Sequence, residues 1–378
     1  MKTTITRRTF VKKTTGSIAA ASALGLANSP MVAEEKSDTD VQFRELGRTG
    51  LKYTVVGFGG MRTRDPAVFR RAVEMGINNI DTARKYMGGE NEKIVAEAIN
   101  GLRDKVHITT KIKPGSYEKM MSDAEQSLKS LETDYIDVML IHSMKTPDDL
   151  HEEERLKFIT KVKEQGKARF IGFSTHSNMT ELLNTAAKDK FFDVILTVYN
   201  FKQDEPLGKA IAAAAEAGIG ILAMKTQAGG YEHEDMGDLS PHQASLKYVL
   251  SDTNVTAAIP AMTTFDQLNE NFGVMKNVNF GWMDRKTLYR YGKVIDHELC
   301  RMCGECEKQC PYNAPVPDMN RCLMYAEGYG DVDLARETFE EITASQSIPC
   351  SSCPVCTVNC PNGLDVNNKI KRTLSYFA

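Results

Sequence analysis

Between residues 43 and 276, short apolar runs alternate with longer segments whose apolar residues recur three and four positions apart. The first pattern is that of buried strands, the second that of helices with one buried face. FRELGRTGLKY reads as an opening hairpin with Gly47 and Gly50 at its turns, and VVGFG (55–59) as the first buried strand. A helix beginning at Pro66 follows. Strands at 78–83, 106–112, 135–142 and 168–175 alternate with helices at 91–100, 116–132, 151–165 and 179–189. Strands at 193–200, 219–225 and 255–261 then alternate with helices at 206–217, 241–252 and 265–276. Eight strand–helix units in about 235 residues predict an α/β fold, a (β/α)8 TIM barrel. A doubly wound open sheet is the rival, but Gly57-Phe58-Gly59-Gly60 lacks the later glycine of a phosphate-binding fingerprint.

In such barrels the carboxyl ends of the strands carry the chemistry. NNIDTARKYMGGENEKIVAEAI sets Asp81 at a strand end and Tyr86 in the loop beyond it. VHITTKIK brings Lys111 to its end, and YIDVMLIHSM brings His142. Singly, these residues fit a helix cap, a surface charge and a satisfied core histidine. Jointly, on three consecutive strand ends, they point to one pocket.

With FRELGRTGLKYTVVGFGG, Ser174 in IGFST and the Glu270-Asn271 pair, this tetrad resembles the aldo-keto reductases over roughly residues 43–276. The resemblance implies interconversion of a small carbonyl compound and its alcohol by hydride transfer with a nicotinamide cofactor. It assigns Tyr86 as acid/base, Lys111 and Asp81 as its tuning pair, and His142 as the donor that orients the carbonyl oxygen. A phenol, with a pKa of about 10, is a poor acid near neutrality. An adjacent ammonium favours the phenolate, so Lys111 is expected to make Tyr86 more acidic.

The same resemblance assigns Ser174, Thr175 and Thr197 to the nicotinamide end of the cofactor and Glu270 and Asn271 to the adenine. Thr175 stands where Asn is usual, Thr197 where Gln is usual, and Met224 where an aromatic ring commonly stacks. Ala261, Met262 and Gln267 replace the Lys, Ser and Arg that hold the 2′-phosphate of NADP. Without two cations for charge-assisted bonds, weak NADP binding is expected, leaving NAD or another two-electron donor.

The tail has a different character. All nine cysteines lie at or after Cys300, and eight fall in two copies of one spacing. Cys300, Cys303, Cys306 and Cys310-Pro311 repeat as Cys350, Cys353, Cys356 and Cys360-Pro361. C-x2-C-x2-C-x3-C-P is the bacterial ferredoxin pattern, whose fourth cysteine serves the other cluster. It predicts two [4Fe–4S] clusters, one on Cys300, Cys303, Cys306 and Cys360, the other on Cys350, Cys353, Cys356 and Cys310. Zinc, which does not need the middle cysteine, and disulfides are the alternatives. MNRCLMYAEG and DLARETFEEI between the runs read as helical, so the tail resembles a small, mainly helical dicluster ferredoxin domain. Cys322 is expected to be a buried helix thiol.

Composition narrows the class. A net charge of −3 over 378 residues argues against a nucleic-acid partner. The first 33 residues nonetheless hold Lys2, Arg7, Arg8, Lys12 and Lys13 and no acid, ahead of the apolar run SIAAASALGLA. Thr6-Arg7-Arg8-Thr9-Phe10-Val11-Lys12 resembles a twin-arginine (Tat) export signal, implying a periplasmic or other extracytoplasmic destination. No other stretch is long and apolar enough to span a membrane. The expected organisation is a leader at 1–33, a barrel at 41–278 and a cluster domain at 290–378, with residues around 280–290 connecting the last two. The clusters would exchange electrons with a redox protein partner. The competing reading is an electron-transfer or docking subunit whose barrel is catalytically inactive.

Overall fold

The structure is a computed structural model and describes residues 41–231, 236, 239–353 and 355–377. The leader expected at 1–33 lies outside the described residues. The hairpin strands β1 (Phe43–Glu45) and β2 (Lys52–Thr54) pair antiparallel. Their link, with Gly47 at φ +50°, lies against the start of a barrel strand. A Cβ at Gly47 would fall 2.3 Å from the Gly220 nitrogen, so only glycine fits. Leu46, Leu51 and Tyr53 of the hairpin thereby plug the amino-terminal end of the barrel.

The barrel strands are β3 (Phe58–Gly59), β4 (Asn79–Asp81), β5 (His107–Ile112), β6 (Ile136–Met144), β7 (Ala168–Thr175), β8 (Val194–Val198), β9 (Gly220–Met224) and β10 (Ala257–Ala258). They pair in parallel in sequence order, and bridges Val56↔Ala258 and Gly59↔Ala261 close the last strand onto the first. Alternation sets the layers. Val138, Leu140, Val194, Leu196 and Leu222 fill the interior, while Met139, Ile141, Ile195 and Ile221 pack outward against the helices.

Those helices are α1 (Pro66–Glu74), α2 (Glu90–Ala98), α3 (Tyr117–Ser130), α4 (Glu153–Glu164), α5 (Met179–Asp189), α6 (Glu205–Glu216), α7 (Pro241–Ser251) and α8 (Phe265–Gly273). Side-chain caps from Asp65, Ser116, Glu152, Asp204, Ser240 and Thr264 start six of them.

The connecting stretch carries a 14-residue helix, α9 (Trp282–Ile295). Leu288, Tyr291 and Ile295 are buried at helical spacing, and Lys247 of α7 pairs with Asp284 at 3.3 Å. Exposed Trp282 and Tyr289 blur its apolar face in the sequence. The tail continues as α10 (Glu305–Gln309), α11 (Val316–Leu323), a π-helical turn (Met324–Gly328), α12 (Val332–Ser345) and α13 (Val366–Phe377). MNRCLMYAEG and DLARETFEEI are thus helical, and Cys322 is fully buried.

The tail folds onto the mouth of the barrel. Met324, Tyr325 and Ala326 join the main hydrophobic core, and the Arg62 guanidinium donates to the Tyr329 carbonyl at 2.6 Å. Gly328 sits so close to the loop after β9 that a Cβ there would lie 2.4 Å from the Gly229 oxygen. Among the described residues no helix is long and apolar enough to cross a membrane.

Candidate active site

Strand alternation aims three of the four candidate side chains. Asp81, Lys111 and His142 share parity with the inward residues of their strands, being two residues beyond Asn79, Thr109 and Leu140. At His142 the β6–β7 register shifts, and Ser143 takes a φ of +59°. This bulge turns the end of β6 at the cavity rim. Tyr86 reaches the site from a short 3-10 turn whose next three residues, Met87, Gly88 and Gly89, all have positive φ.

The four groups meet. The Lys111 ammonium donates to Asp81 Oδ1 at 2.6 Å and to the Thr82 carbonyl at 2.7 Å, and lies 3.2 Å from the Tyr86 hydroxyl. The Tyr86 and His142 rings stand edge to face at 5.8 Å. Burial, together with Lys111, Lys85 and other nearby cations, drives His142 well below the usual histidine range, so its imidazole is neutral at neutral pH.

Tyr86 departs from the expected acidification: burial first, then the Asp81 carboxylate, hold its phenol well above the ordinary range. The reason is that Lys111 comes paired. An ammonium bonded to a carboxylate is nearly neutral as a unit, and desolvation of the phenolate outweighs what field remains. Tyr86 therefore carries its proton at neutral pH and suits the role of donor.

The site opens into a cavity of ≈ 650 Å³ between the strand ends and the tail. Residues 62–238 match the aldo/keto reductase family, and residues 293–316 match a 4Fe-4S binding domain. A methylglyoxal reductase of Escherichia coli is 30% identical over 232 residues, covering 57% of this chain and 80% of the relative. The chain belongs to the aldo/keto reductase family. An L-galactose dehydrogenase of Arabidopsis thaliana is 26% identical over 306 residues, 68% of this chain and 95% of the relative. Among solved structures, an aldo-keto reductase from Bacillus halodurans superposes with a TM-score of 0.58 at 22% identity, covering 66% of this chain and 95% of that one. One from Klebsiella pneumoniae in complex with NADPH gives 0.57 at 22%, with the same coverage.

Set against its family, this aldo/keto reductase keeps the tetrad together but spreads the cofactor candidates. Glu270 and Asn271 line the cavity, Glu270 bonded to the Ser240 hydroxyl and Asn271 accepting from Gln227 at 2.8 Å. Ser174 does not line it; its hydroxyl accepts from the Ser143 N–H at 2.9 Å. Thr175 and Thr197 also lie outside the lining, because they share the outward parity of Phe173 and Ile195. Thr175 Oγ1 bonds the Ser177 carbonyl at 2.7 Å, and Thr197 Oγ1 is buried without a partner. Ala261 and Gln267, expected at the phosphate end, also line the cavity, and Gln267 accepts from the Thr263 N–H at 2.8 Å. Glu270 and Asn271 thus place polar groups on the cavity wall, while Ala261 and Gln267 place neutral ones there.

The iron–sulfur donor set fits its group. All eight candidate thiols are free. Cys300 lies within electrostatic reach of Cys303 and Cys360, whereas Cys350 lies within reach of Cys310, Cys353 and Cys356, so each run's fourth cysteine faces the other run. Backbone N–H groups of Met302 and Ala314 point at the sulfurs of Cys300 and Cys310, both at 3.4 Å. Among the described residues no three donors are gathered for a single metal ion. A cube spaces its thiolates more widely, each on its own iron.

Sequence reasoning missed the far wall of the cavity. His176 and Lys225 stand just past the ends of β7 and β9, where the strand-end rule points. Arg321, Tyr325 and Tyr329 come from the tail, and no barrel motif signals them.

Proposed function

We propose that this iron–sulfur oxidoreductase interconverts a small carbonyl compound and its alcohol by hydride transfer with a nicotinamide cofactor. The carrying observation is the Lys111 ammonium held between Asp81 and the Tyr86 hydroxyl, beside a neutral His142 at the mouth of the barrel. Bound nicotinamide supplies hydride to the carbonyl carbon. Tyr86 gives its proton to the carbonyl oxygen. Lys111 stabilises the resulting phenolate, and Asp81 keeps Lys111 charged and aimed. His142 offers an imidazole N–H to the same oxygen and fixes the carbonyl face. Glu270 and Asn271 hold the adenine, and Ser174, behind the cavity lining, braces Ser143 at the end of β6.

In this reading Cys300, Cys303, Cys306 and Cys360 would hold one [4Fe–4S] cluster and Cys350, Cys353, Cys356 and Cys310 a second, and the pair would supply a one-electron relay for exchange with a redox protein partner. The leader at 1–33 sends the folded, cluster-loaded protein out by the Tat route to the periplasm or its equivalent. Tyr86→Phe is expected to lower carbonyl turnover by about 10²–10⁴-fold with cluster absorbance intact; unchanged turnover refutes the assignment.

The neutral residues at the phosphate end favour one second reading, a barrel that serves only as a platform for the clusters. NADH and NADPH titrations of the cluster-loaded protein separate the two. Failure of both to bind supports the platform.

A further inference from the structure

Much of the cavity wall around Tyr86 is built from cations that share too few carboxylates. Asp318 of α11 serves both Lys145, at 3.1 Å, and Arg321, at 3.0 Å. Glu341 of α12 serves both Lys85, at 2.6 Å, and Lys113, at 2.8 Å. Among the described residues Lys225 is bonded to no carboxylate: its ammonium meets the Tyr325 hydroxyl at 3.1 Å and lies 4.9 Å from the centre of that ring. Of the other cavity-lining carboxylates, Asp81, Asp149 and Asp331 are bonded to Lys111, Arg155 and Arg62, Glu270 is bonded to the Ser240 hydroxyl, and Glu337 is exposed on α12. Among the described residues a positive excess is therefore left at the tetrad end.

Two features show that this excess faces the reacting groups. Arg321 acts electrostatically on Tyr86, His142 and His176, and Tyr325, the partner of Lys225, acts on Tyr86. Arg321 Nε and the Nδ1 atoms of His142 and His176 are buried without hydrogen-bond partners. Like charges held together out of bulk water repel strongly, and a bound anion relieves that repulsion. Lys225 is held at this place by its backbone, with φ at +53° and its carbonyl accepting from Asn200 at 3.1 Å.

We infer that Lys225 and Arg321 form a carboxylate site, so that the substrate is an oxo acid or the corresponding hydroxy acid rather than a neutral carbonyl compound. The inference rests on the reductase reading for the reacting centre. It also gives the tail a second task. Arg321 belongs to the tail, so the cluster domain completes the substrate pocket of the barrel. A fixed guanidinium and an ammonium bind the carboxylate by charge-assisted bonds and set the adjacent carbonyl against Tyr86 and His142.

The test is calorimetric titration of oxalate into the full, cluster-loaded protein, which needs neither nicotinamide nor turnover. Wild type is expected to bind oxalate, and both Arg321→Gln and Lys225→Met to bind it at least about tenfold more weakly. Arg321→Lys should restore most of the affinity. Cluster absorbance and circular dichroism check each variant. If Arg321→Gln loses its clusters, Lys225→Met, which lies on the barrel, carries the test. ADP-ribose is titrated alongside, because a dinucleotide pyrophosphate presents similar chemistry. Oxalate affinity unchanged by saturating ADP-ribose supports a substrate site, and competition between them overturns it. Absence of oxalate binding, or equal affinity in all variants, also overturns it. Oxalate binding that depends on Arg321, in protein that binds neither NADH nor NADPH, would remove the reductase reading and leave the anion site standing.

Discussion

Gly328 offers a test of whether the tail truly forms the cavity wall. It ends the π-helical turn, and helix propensity alone would make Gly328→Ala stabilising by up to about 1 kcal/mol. The barrel opposes this. The added Cβ would lie 2.4 Å from the Gly229 oxygen and 3.1 Å from the Tyr231 ring, where ordinary contact begins at 3.4 Å. Barrel and tail must part by about 1 Å, at an overpacking cost of roughly 1–3 kcal/mol. Overpacking outweighs propensity, so the variant is expected to melt earlier. Because Arg321 and Tyr325 ride on the same segment, a shift of about 1 Å at the site is expected to lower turnover on the order of 10²-fold.

Gly330→Ala is the matched control, two residues away. Its φ of +63° strains an alanine, at about 1 kcal/mol, but nothing lies within 4 Å of the new methyl. Thermal melting followed by circular dichroism, with turnover measured on the same samples, distinguishes the two. Gly330→Ala should lose a little stability and keep its turnover, whereas Gly328→Ala should lose both. A Gly328→Ala protein as stable and as active as wild type would refute the docking geometry.

Other consequences follow from the same arrangement. Lys225 is pushed down to about 8, chiefly by burial and further by Arg321, while Tyr329 opposes the shift. It is cationic below that pH and neutral above it. His142 and His176, both held well below the usual range, and Tyr325, held at about 12, do not titrate there. Oxalate affinity should therefore be flat toward pH 7 and fall about tenfold by pH 9, a dependence that Lys225→Met should abolish. Persistence of the pH dependence in that variant would assign it elsewhere. The tail's small core of Ala314, Val316, Met319, Val366 and Ile370 surrounds the cysteine loops, so its stability leans on metal. Chelation of iron should withdraw Arg321 and Tyr325 and stop carbonyl turnover, though no iron ligand lies in the barrel. Full turnover by iron-free protein would contradict this.

Strand parity explains why so much of the site was legible beforehand. A period of two fixes which residue of each strand faces inward, and the last inward positions of β4, β5 and β6 are Asp81, Lys111 and His142. The cysteine spacing is likewise local, since three thiols on one short loop need no distant contact to define them. Parity also shows where the reading by resemblance stopped. Thr175 and Thr197, which the resemblance assigned to the nicotinamide, both fall on the outward parity and outside the cavity lining.

The amino-acid order by itself determined the barrel, the tetrad and the paired thiol runs, because each depends on spacing along a strand, a helix or a loop. Only the tertiary structure decided that the tail closes the barrel mouth, that Arg321 acts on Tyr86 and Lys225 on His176, and that the phenol keeps its proton. Those outcomes depend on packing between segments some 100 to 240 residues apart and on the water that packing excludes. Charge pairing and desolvation act through space, and no local pattern encodes them.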